Sequence, residues 1–383
     1  PLVLALGDLD GDGTDDLAVG LATGGFGSGT IASLLGVPGA GLFADPLLGS
    51  ASIRRADDLK LVDIDGDNAL DAVTAHDSGN SVFVVRGLGD GAFETNPDEI
   101  DAGADPRTVD VADLDGDGIL DFIVGHDAFG ADAVGFIKGL ANGFADIELF
   151  PGVTGEGPVD ALVRDLNDDG NPDVIAVSDD SGDVTVLLGG GGDPLALPST
   201  FPDETSDVLG LQVVDVNSDG VLDIVTGLDS NDSIHVLLGN GDGTYVDAGS
   251  SAAGQQPFNL VVRDVDGDGA RDAVVTRSDG IALLLGNDDG TFAAPINVEV
   301  AGANDEDLDA ADLNGDGEVD LVIANGFNDT LTVLFNDGAG GFGQPVPITG
   351  GSGSLTLALD ADNDGDPDIA TLENSFGAGV VHL

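Results

Sequence analysis

Eight nonapeptides of one design carry the chemistry available to this chain. Asp113-Leu114-Asp115-Gly116-Asp117-Gly118-Ile119-Leu120-Asp121 shows the pattern, with carboxylates at positions 1, 3, 5 and 9 and glycine at position 6. Alternate spacing lets three side chains converge if the backbone curls, and glycine at positive φ tightens the curl. Carboxylates crowded in this way repel one another unless a hard cation lies between them. Oxygen-only donors at such spacing suit Ca²⁺.

The copies keep one register. Position 1 is Asp8, Asp63, Asp113, Asp165, Asp215, Asp264, Asp312 and Asp360. Position 3 is Asp10, Asp65, Asp115, Asn167, Asn217, Asp266, Asn314 and Asp362, always a side chain with an oxygen donor. Position 5 is Asp12, Asp67, Asp117, Asp169, Asp219, Asp268, Asp316 and Asp364. Position 9 is Asp16, Asp71, Asp121, Asp173, Asp223, Asp272, Asp320 and Asp368. Position 6 departs from glycine only at Asn68, and asparagine is the next best residue at positive φ. An EF-hand would need glutamate at position 12 between two helices. Position 12 here runs from Val19 and Thr74 to Ile323 and Thr371, residues suited to strands. No copy stands out as a catalytic centre with an open coordination position, so the expected role of the ion is structural.

Around each loop the same elements recur with a period of about 50 residues, the signature of a repeat architecture. A short run with alternate apolar residues precedes the loop, such as Val109 and Val111 or Leu260 and Val262. An apolar run follows it, for example Phe122-Ile123-Val124. A polar turn leads to a third run, such as Ser81-Val82-Phe83-Val84-Val85, and then to a glycine-rich turn ending in an aromatic, as in 239–245. A less regular extended piece completes the repeat. Runs of this length bounded by turn residues are strands, and no ten-residue helical period interrupts them.

Four strands per repeat, eight times over, predict an all-β, eight-bladed β-propeller of four-stranded antiparallel blades. One domain is expected over 1–383, with repeats beginning near 1, 56, 106, 158, 208, 257, 305 and 353. With the strands of a blade lettered A to D from the innermost, the acidic loop is the A–B turn. It then shares a face with the C–D turn, while B–C turns and D–A links lie on the other. The chain starts at a D–A link and ends near strand C of repeat eight. The last blade is therefore expected to have three strands or to take a fourth from residues upstream of Pro1 in a longer chain.

Composition narrows the function classes. Hydrophobic residues make up 42%, enough for a substantial core. The formal charge is −62, from 72 acids against 10 bases. The loops hold fewer than half of these acids, and eight Ca²⁺ ions would bring only +16, so an acidic solvated surface remains. Such a surface argues against nucleic acid and anionic membranes as partners. No apolar run approaches the ~18 residues of a spanning helix, so membrane insertion by this segment is not expected. Cysteine is absent, which excludes thiolate metal sites. Weak calcium sites would be filled outside a cell, so the expected location is extracellular, secreted or at the cell surface.

At this point the chain resembles the FG-GAP/VCBS repeats of integrin α-subunit headpieces and of many bacterial surface and secreted proteins. The matching residues are Asp-Leu-Asp-Gly-Asp-Gly-x-x-Asp before an apolar strand, with Leu-Leu-Gly-Asn-Gly-Asp-Gly-Thr-Tyr at 237–245 and Leu-Leu-Gly-Asn-Asp-Asp-Gly-Thr-Phe at 284–292. The resemblance implies that side chains at 1, 3, 5 and 9 and the carbonyl at 7 bind about eight structural calcium ions. The carbonyl donors would be Thr14, Ala69, Ile119, Asn171, Val221, Ala270, Glu318 and Asp366. Integrin heads have seven blades, so seven is the alternative count. The Gly189–Gly192 run departs from the regular C–D turn of the pattern.

A second cluster lies on the opposite face. His76 and His126 end strand B of neighbouring repeats, and Arg54, Arg55 and Arg107 come from the adjoining D–A links. They form a possible ligand face. The expected function is a calcium-stabilised adhesion, protein-interaction or surface-assembly module with a protein or glycan partner, self-assembly being possible. The alternative of another class is a polysaccharide-binding protein or polysaccharide lyase that uses this face for proton abstraction. Trp is absent and Tyr245 is the single tyrosine, which weakens the carbohydrate reading.

Overall fold

In a computed structural model the described residues form the expected strands and one 3-10 turn, Asp77–Gly79. The structure describes residues 3–22, 29–37, 42–43, 47–48, 53–127, 133–151, 158–178, 182–190, 199–201, 208–228, 231–277, 280–300, 307–325, 330–338, 340–348, 355–359, 367–372 and 379–382. The chain divides into two compact units, Pro1–Glu204 with Ala361–Asn363, and Thr205–Asp360 with Asp364–Leu383.

The first unit holds four four-stranded antiparallel blades. Blade 2 is typical: Asp58–Val62, Asp71–His76, Ser81–Val85 and Asp98–Asp101 pair in chain order. Strands A of blades 1, 3 and 4 are Val3–Gly7, Pro106–Ala112 and Pro158–Arg164. The second unit holds three more blades, whose strands A are Val208–Val214, Pro257–Arg263 and Asp307–Ala311. Repeat eight contributes a three-stranded sheet of Leu355–Leu359, Asp368–Leu372 and Gly379–His382. The fold is thus an antiparallel all-β propeller, with seven complete blades among the described residues. This is the alternative count, and it corrects the expectation of eight four-stranded blades. Among the described residues the eighth repeat supplies strands A to C, as expected from a chain ending near strand C.

Strand B shows why many runs are apolar at every position. Every residue of Asp121–His126 and of Asp320–Asn325 is buried, because both faces of a blade meet a neighbour. In the first unit, Val73 and Val84 of blade 2 pack with Val109 and Phe122 of blade 3. In the second, Val236 of blade 5 packs with Val262 and Leu284 of blade 6. Within each unit consecutive blades share hydrophobic layers, and these layers hold the strand ends that carry the acidic loops.

Candidate functional site

The seven described loops fold alike from local chemistry. At position 6, φ is positive from Asn68 at 70° to Gly269 at 97°. Position 4 is also left-handed, a feature the sequence reading did not identify. Gly11, Gly66, Gly116, Gly267 and Gly315 stand there, and Asp168 and Ser218 adopt the same turn at 56° and 57°. Two left-handed residues aim successive amides inward. The position 1 carboxylate accepts the N–H of position 6 at 2.8–3.1 Å in all seven. The position 5 carboxylate accepts the N–H of position 7 at 2.8–2.9 Å. The position 1 carboxylate accepts amides through both oxygens, as Asp8 does from Asp12 and Gly13, and the position 5 carboxylate through one, which leaves lone pairs for a cation.

Position 9 does more than the sequence reading assigned to it. Asp16, Asp71, Asp121, Asp173, Asp223, Asp272 and Asp320 are 0–1% exposed. One oxygen of each accepts the N–H of position 2 at 2.7–3.1 Å. The other accepts an amide of the C–D turn at 2.7–2.8 Å, from Gly36, Gly87, Gly139, Gly189, Gly239, Gly286 and Asn336. The residue is therefore a staple between two turns on one face of the blade. Burial raises the pKa of all seven, against the lowering effect of those amides.

The donor set fits Ca²⁺. Oxygens of Asp8, Asp10 and Asp16 lie within 4.8 Å of one another, as do those of Asp63, Asp65 and Asp71, of Asp113, Asp115 and Asp121, and of Asp264, Asp266 and Asp272. Two oxygens on opposite sides of an ion at 2.3–2.6 Å stand about 5 Å apart, so one calcium can touch all three. Loops 4, 5 and 7 carry Asn167, Asn217 and Asn314 at position 3, which replaces a carboxylate by an amide oxygen. In loop 8, Asp360, Asp362, Asp364 and Asp366 lie outside the described residues, and Asp368 begins a strand.

Two loops contain a cation of the chain itself. Lys138 Nζ is hydrogen-bonded to Asp115 and lies 3.2 Å from Asp117. Arg86 Nη1 lies 3.1 Å from Asp71 and 3.5 Å from Asp65. Both residues directly precede the amide that position 9 grips. Aligning the repeats on that position would have exposed them, since it holds Leu35, Leu188, Leu238, Leu285 and Phe335 elsewhere. A cleft of about 440 Å³ opens beside Arg86, lined also by Asp63, Asp65, Leu140, Asn142 and Phe144.

On the opposite face the structure brings His76 near the arginines but buries both histidines, at 0% and 1% exposure. His76 Nδ1–H donates to the Arg55 carbonyl at 2.9 Å, and its Nε2 meets the Thr74 hydroxyl at 2.7 Å. Burial pushes its pKa down to about 4. His126 Nδ1–H donates to the Ala104 carbonyl at 2.9 Å, and burial lowers its pKa as well. Both are neutral packing groups that tie strand B to the D–A link. The arginines reach acids instead: Arg55 to Asp57 at 3.2 Å, Arg107 to Asp127 at 3.0 Å and Arg54 to Glu99 at 3.7 Å.

A profile described as the FG-GAP-like repeat matches residues 63–124, 165–226, 215–275, 264–323 and 312–371. Each match begins on a position 1 aspartate and runs past the next loop. No curated protein matches the chain significantly. Among solved structures, the periplasmic gluconolactonase of Pseudomonas aeruginosa is similar with a TM-score of 0.57 and 16% identity, over 88% of this chain and 96% of that one. A lectin of Agrocybe aegerita that recognises non-reducing terminal N-acetylglucosamine gives 0.53 and 19%, over 90% and 93%. A functionally unknown protein from Desulfotomaculum acetoxidans gives 0.51 and 12%, over 96% and 98%. At these identities the likeness is one of fold. Among the described residues no helix is long and apolar enough to cross a membrane.

Proposed function

Because the chain belongs to the FG-GAP-like repeat family, we propose that it is an extracellular, calcium-stabilised propeller that engages a protein or glycan partner at the cell surface. The observation that carries this reading is the uniformity of the loops: seven described copies share one backbone and one set of left-handed turns, and in four of them three carboxylates converge within 4.8 Å. In each site, Asp or Asn side chains at positions 1, 3, 5 and 9 would hold the ion. The ion supplies positive charge where the turn concentrates acids, and the chain does the rest. Its carboxylates fix the A–B turn, and the buried position 9 acid transmits that order to the C–D turn.

Recognition then falls to the remaining loops. Arg54, Arg55 and Arg107, at 39–40% side-chain exposure, offer cations among Asp57, Asp127 and Glu99. This is a mosaic suited to polar partners. The neutral, buried histidines favour binding over proton transfer on this face, since neither imidazole is presented to a substrate.

The test uses the full chain on a glycan array and as a coating on beads offered to the cells that make it, each with calcium and with EDTA. Calcium-dependent signal on the array supports a glycan partner. Array silence with calcium-dependent bead adhesion supports a protein partner. Absence of both, with the protein folded and calcium-loaded, would reject the adhesion reading.

A further inference from the structure

We propose that Lys138 and Arg86 are resident counter-cations which make loops 2 and 3 late-filling calcium sites, so that this protein responds to calcium in two steps. The inference rests on the calcium reading above. It concerns only what these two side chains do to it.

In blade 1 the residue before the gripped amide is Leu35, and it packs toward Gly91 in the C–D turn of blade 2. A Cβ added to Gly91 would sit 2.4 Å from the leucine. Leu238 of blade 5 meets Gly290 of blade 6 in the same way, at 2.7 Å. The regular glycine-rich turn of one blade thus covers an apolar side chain of the blade before it. Blade 3 lacks that turn. Gly139–Leu140 and Gly143–Phe144 form a small hairpin instead, and the cleft of about 440 Å³ opens over blade 2. A leucine there would face water. Arg86 stands in its place and swings onto Asp65 and Asp71. Blade 4 departs from the regular turn through Gly189-Gly190-Gly191-Gly192, and the residue in blade 3 is Lys138. In blade 3 the altered turn stands beside Arg86, and the sequence of repeat 4 departs from the regular turn where blade 3 carries Lys138.

The consequence is competition. The Lys138 ammonium occupies the carboxylates at positions 3 and 5 of loop 3, which a calcium ion would need. Arg86 shares positions 3 and 9 of loop 2 in the same way. Calcium must displace each cation and then tolerate it nearby, whereas loops 1 and 4 to 7 have leucine or phenylalanine at that position. Exposed ion pairs are individually weak, and two contacts per cation give a weakening of about three- to tenfold. Without calcium the sign reverses, because the same cations relieve repulsion among the acids of these two loops. Blades 2 and 3, with the cleft beside Arg86, would then change state over the upper part of the calcium range, after the other loops have filled.

Calcium titration of the EDTA-stripped full chain by calorimetry, with native mass spectrometry to count bound ions, tests this. Wild type should show two classes, the weaker holding two sites. Lys138→Leu places the residue of four other blades at this position, and Lys138→Gln keeps length without charge. Either should move one site from the weak to the tight class. Each should also lower the melting temperature without calcium and leave it equal or higher at saturation. A single class in wild type, or variants with unchanged isotherms, would overturn the proposal. So would a melting temperature that falls equally with and without calcium, because that is loss of packing alone. If no calcium binds at all, the calcium reading fails along with it, which separates the two failures.

Discussion

At the scale of the residue, one aspartate in nine positions behaves differently from its neighbours. Positions 1, 3 and 5 keep lone pairs that a cation could take, but position 9 is buried and already accepts two amides. Replacing Asp223 by Asn keeps the shape while turning one acceptor into a donor that faces an N–H. A buried polar mismatch of this kind costs about 1–3 kcal/mol. Asp223→Asn should therefore lower stability in urea with EDTA present as well as with calcium. Asp219→Asn, at the exposed position 5, should weaken calcium binding and change the EDTA melt little. If both variants act only when calcium is present, position 9 is a ligand and not a staple. Backbone strain yields a second residue-scale expectation. Ser218 sits at φ 57° where five other loops have glycine. The left-handed penalty of about 1–2 kcal/mol exceeds the entropic cost of glycine, so Ser218→Gly should stabilise by roughly 0.5–1 kcal/mol, and Ser218→Ala should not.

At the scale of the element, strand A is where the sequence was least informative. Its free edge has no neighbouring strand on one side, and carboxylates supply what a ladder would. Asp58 accepts the N–H of Val109 in the next blade at 3.0 Å, Asp110 that of Val163 at 2.8 Å, and Asp309 that of Ala358 at 2.8 Å. Asp110 and Asp309 stand three residues before their loops but Asp58 stands five before its own, so no single motif revealed them. The loops were legible because their chemistry is local: the hydrogen bonds that shape the curl close within seven residues. The strands were legible from apolar runs and turn residues. The burial of His76 and His126 was not, since sequence places a residue at a strand end without saying what covers it. Asp160 on strand A of blade 4 was missed for the same reason. Burial raises its pKa to about 6, Lys60 opposing and Asp58 reinforcing the shift. Burial also acts on Lys60, but Asp58, Asp110 and Asp160 together outweigh it and raise its pKa. An aspartate with a raised folded-state pKa stabilises the fold below its unfolded value of 3.8, and that contribution is lost as pH rises through about 6. Asp160→Asn should match wild type near pH 4 and exceed it by a few degrees in melting temperature at pH 7.5, for a difference on the order of 1–3 kcal/mol. Equal melts across that window would mean that Lys60 already keeps the carboxylate ionised in the fold.

At the scale of the whole molecule, charge decides which conditions the fold tolerates. The formal balance is −62, and the surface acids extend to the outer edges of the blades. Asp98, Glu99 and Asp101 lie exposed on the outermost strand of blade 2, where like charge discourages edge-to-edge pairing between copies. Self-repulsion of this size opposes compaction, and two agents relieve it differently. Salt screens all charges, with a Debye length near 30 Å at 0.01 M and 3 Å at 1 M. Calcium acts only where oxygens converge, and each site filled at tenfold its Kd adds about 1.4 kcal/mol. EDTA should therefore lower the melting temperature by more than ~10 °C in 10 mM NaCl and by a smaller amount in 1 M NaCl. The loss at high salt should not vanish, because screening cannot organise the turns. Magnesium should restore less than calcium, since donors within 4.8 Å suit an ion with bonds of 2.3–2.6 Å better than one that demands 2.0–2.1 Å. Melting curves recorded by circular dichroism in these four conditions separate the two contributions. Coincident curves with and without EDTA at low salt would show that the amides alone neutralise the loops, and would remove calcium from the account of this fold.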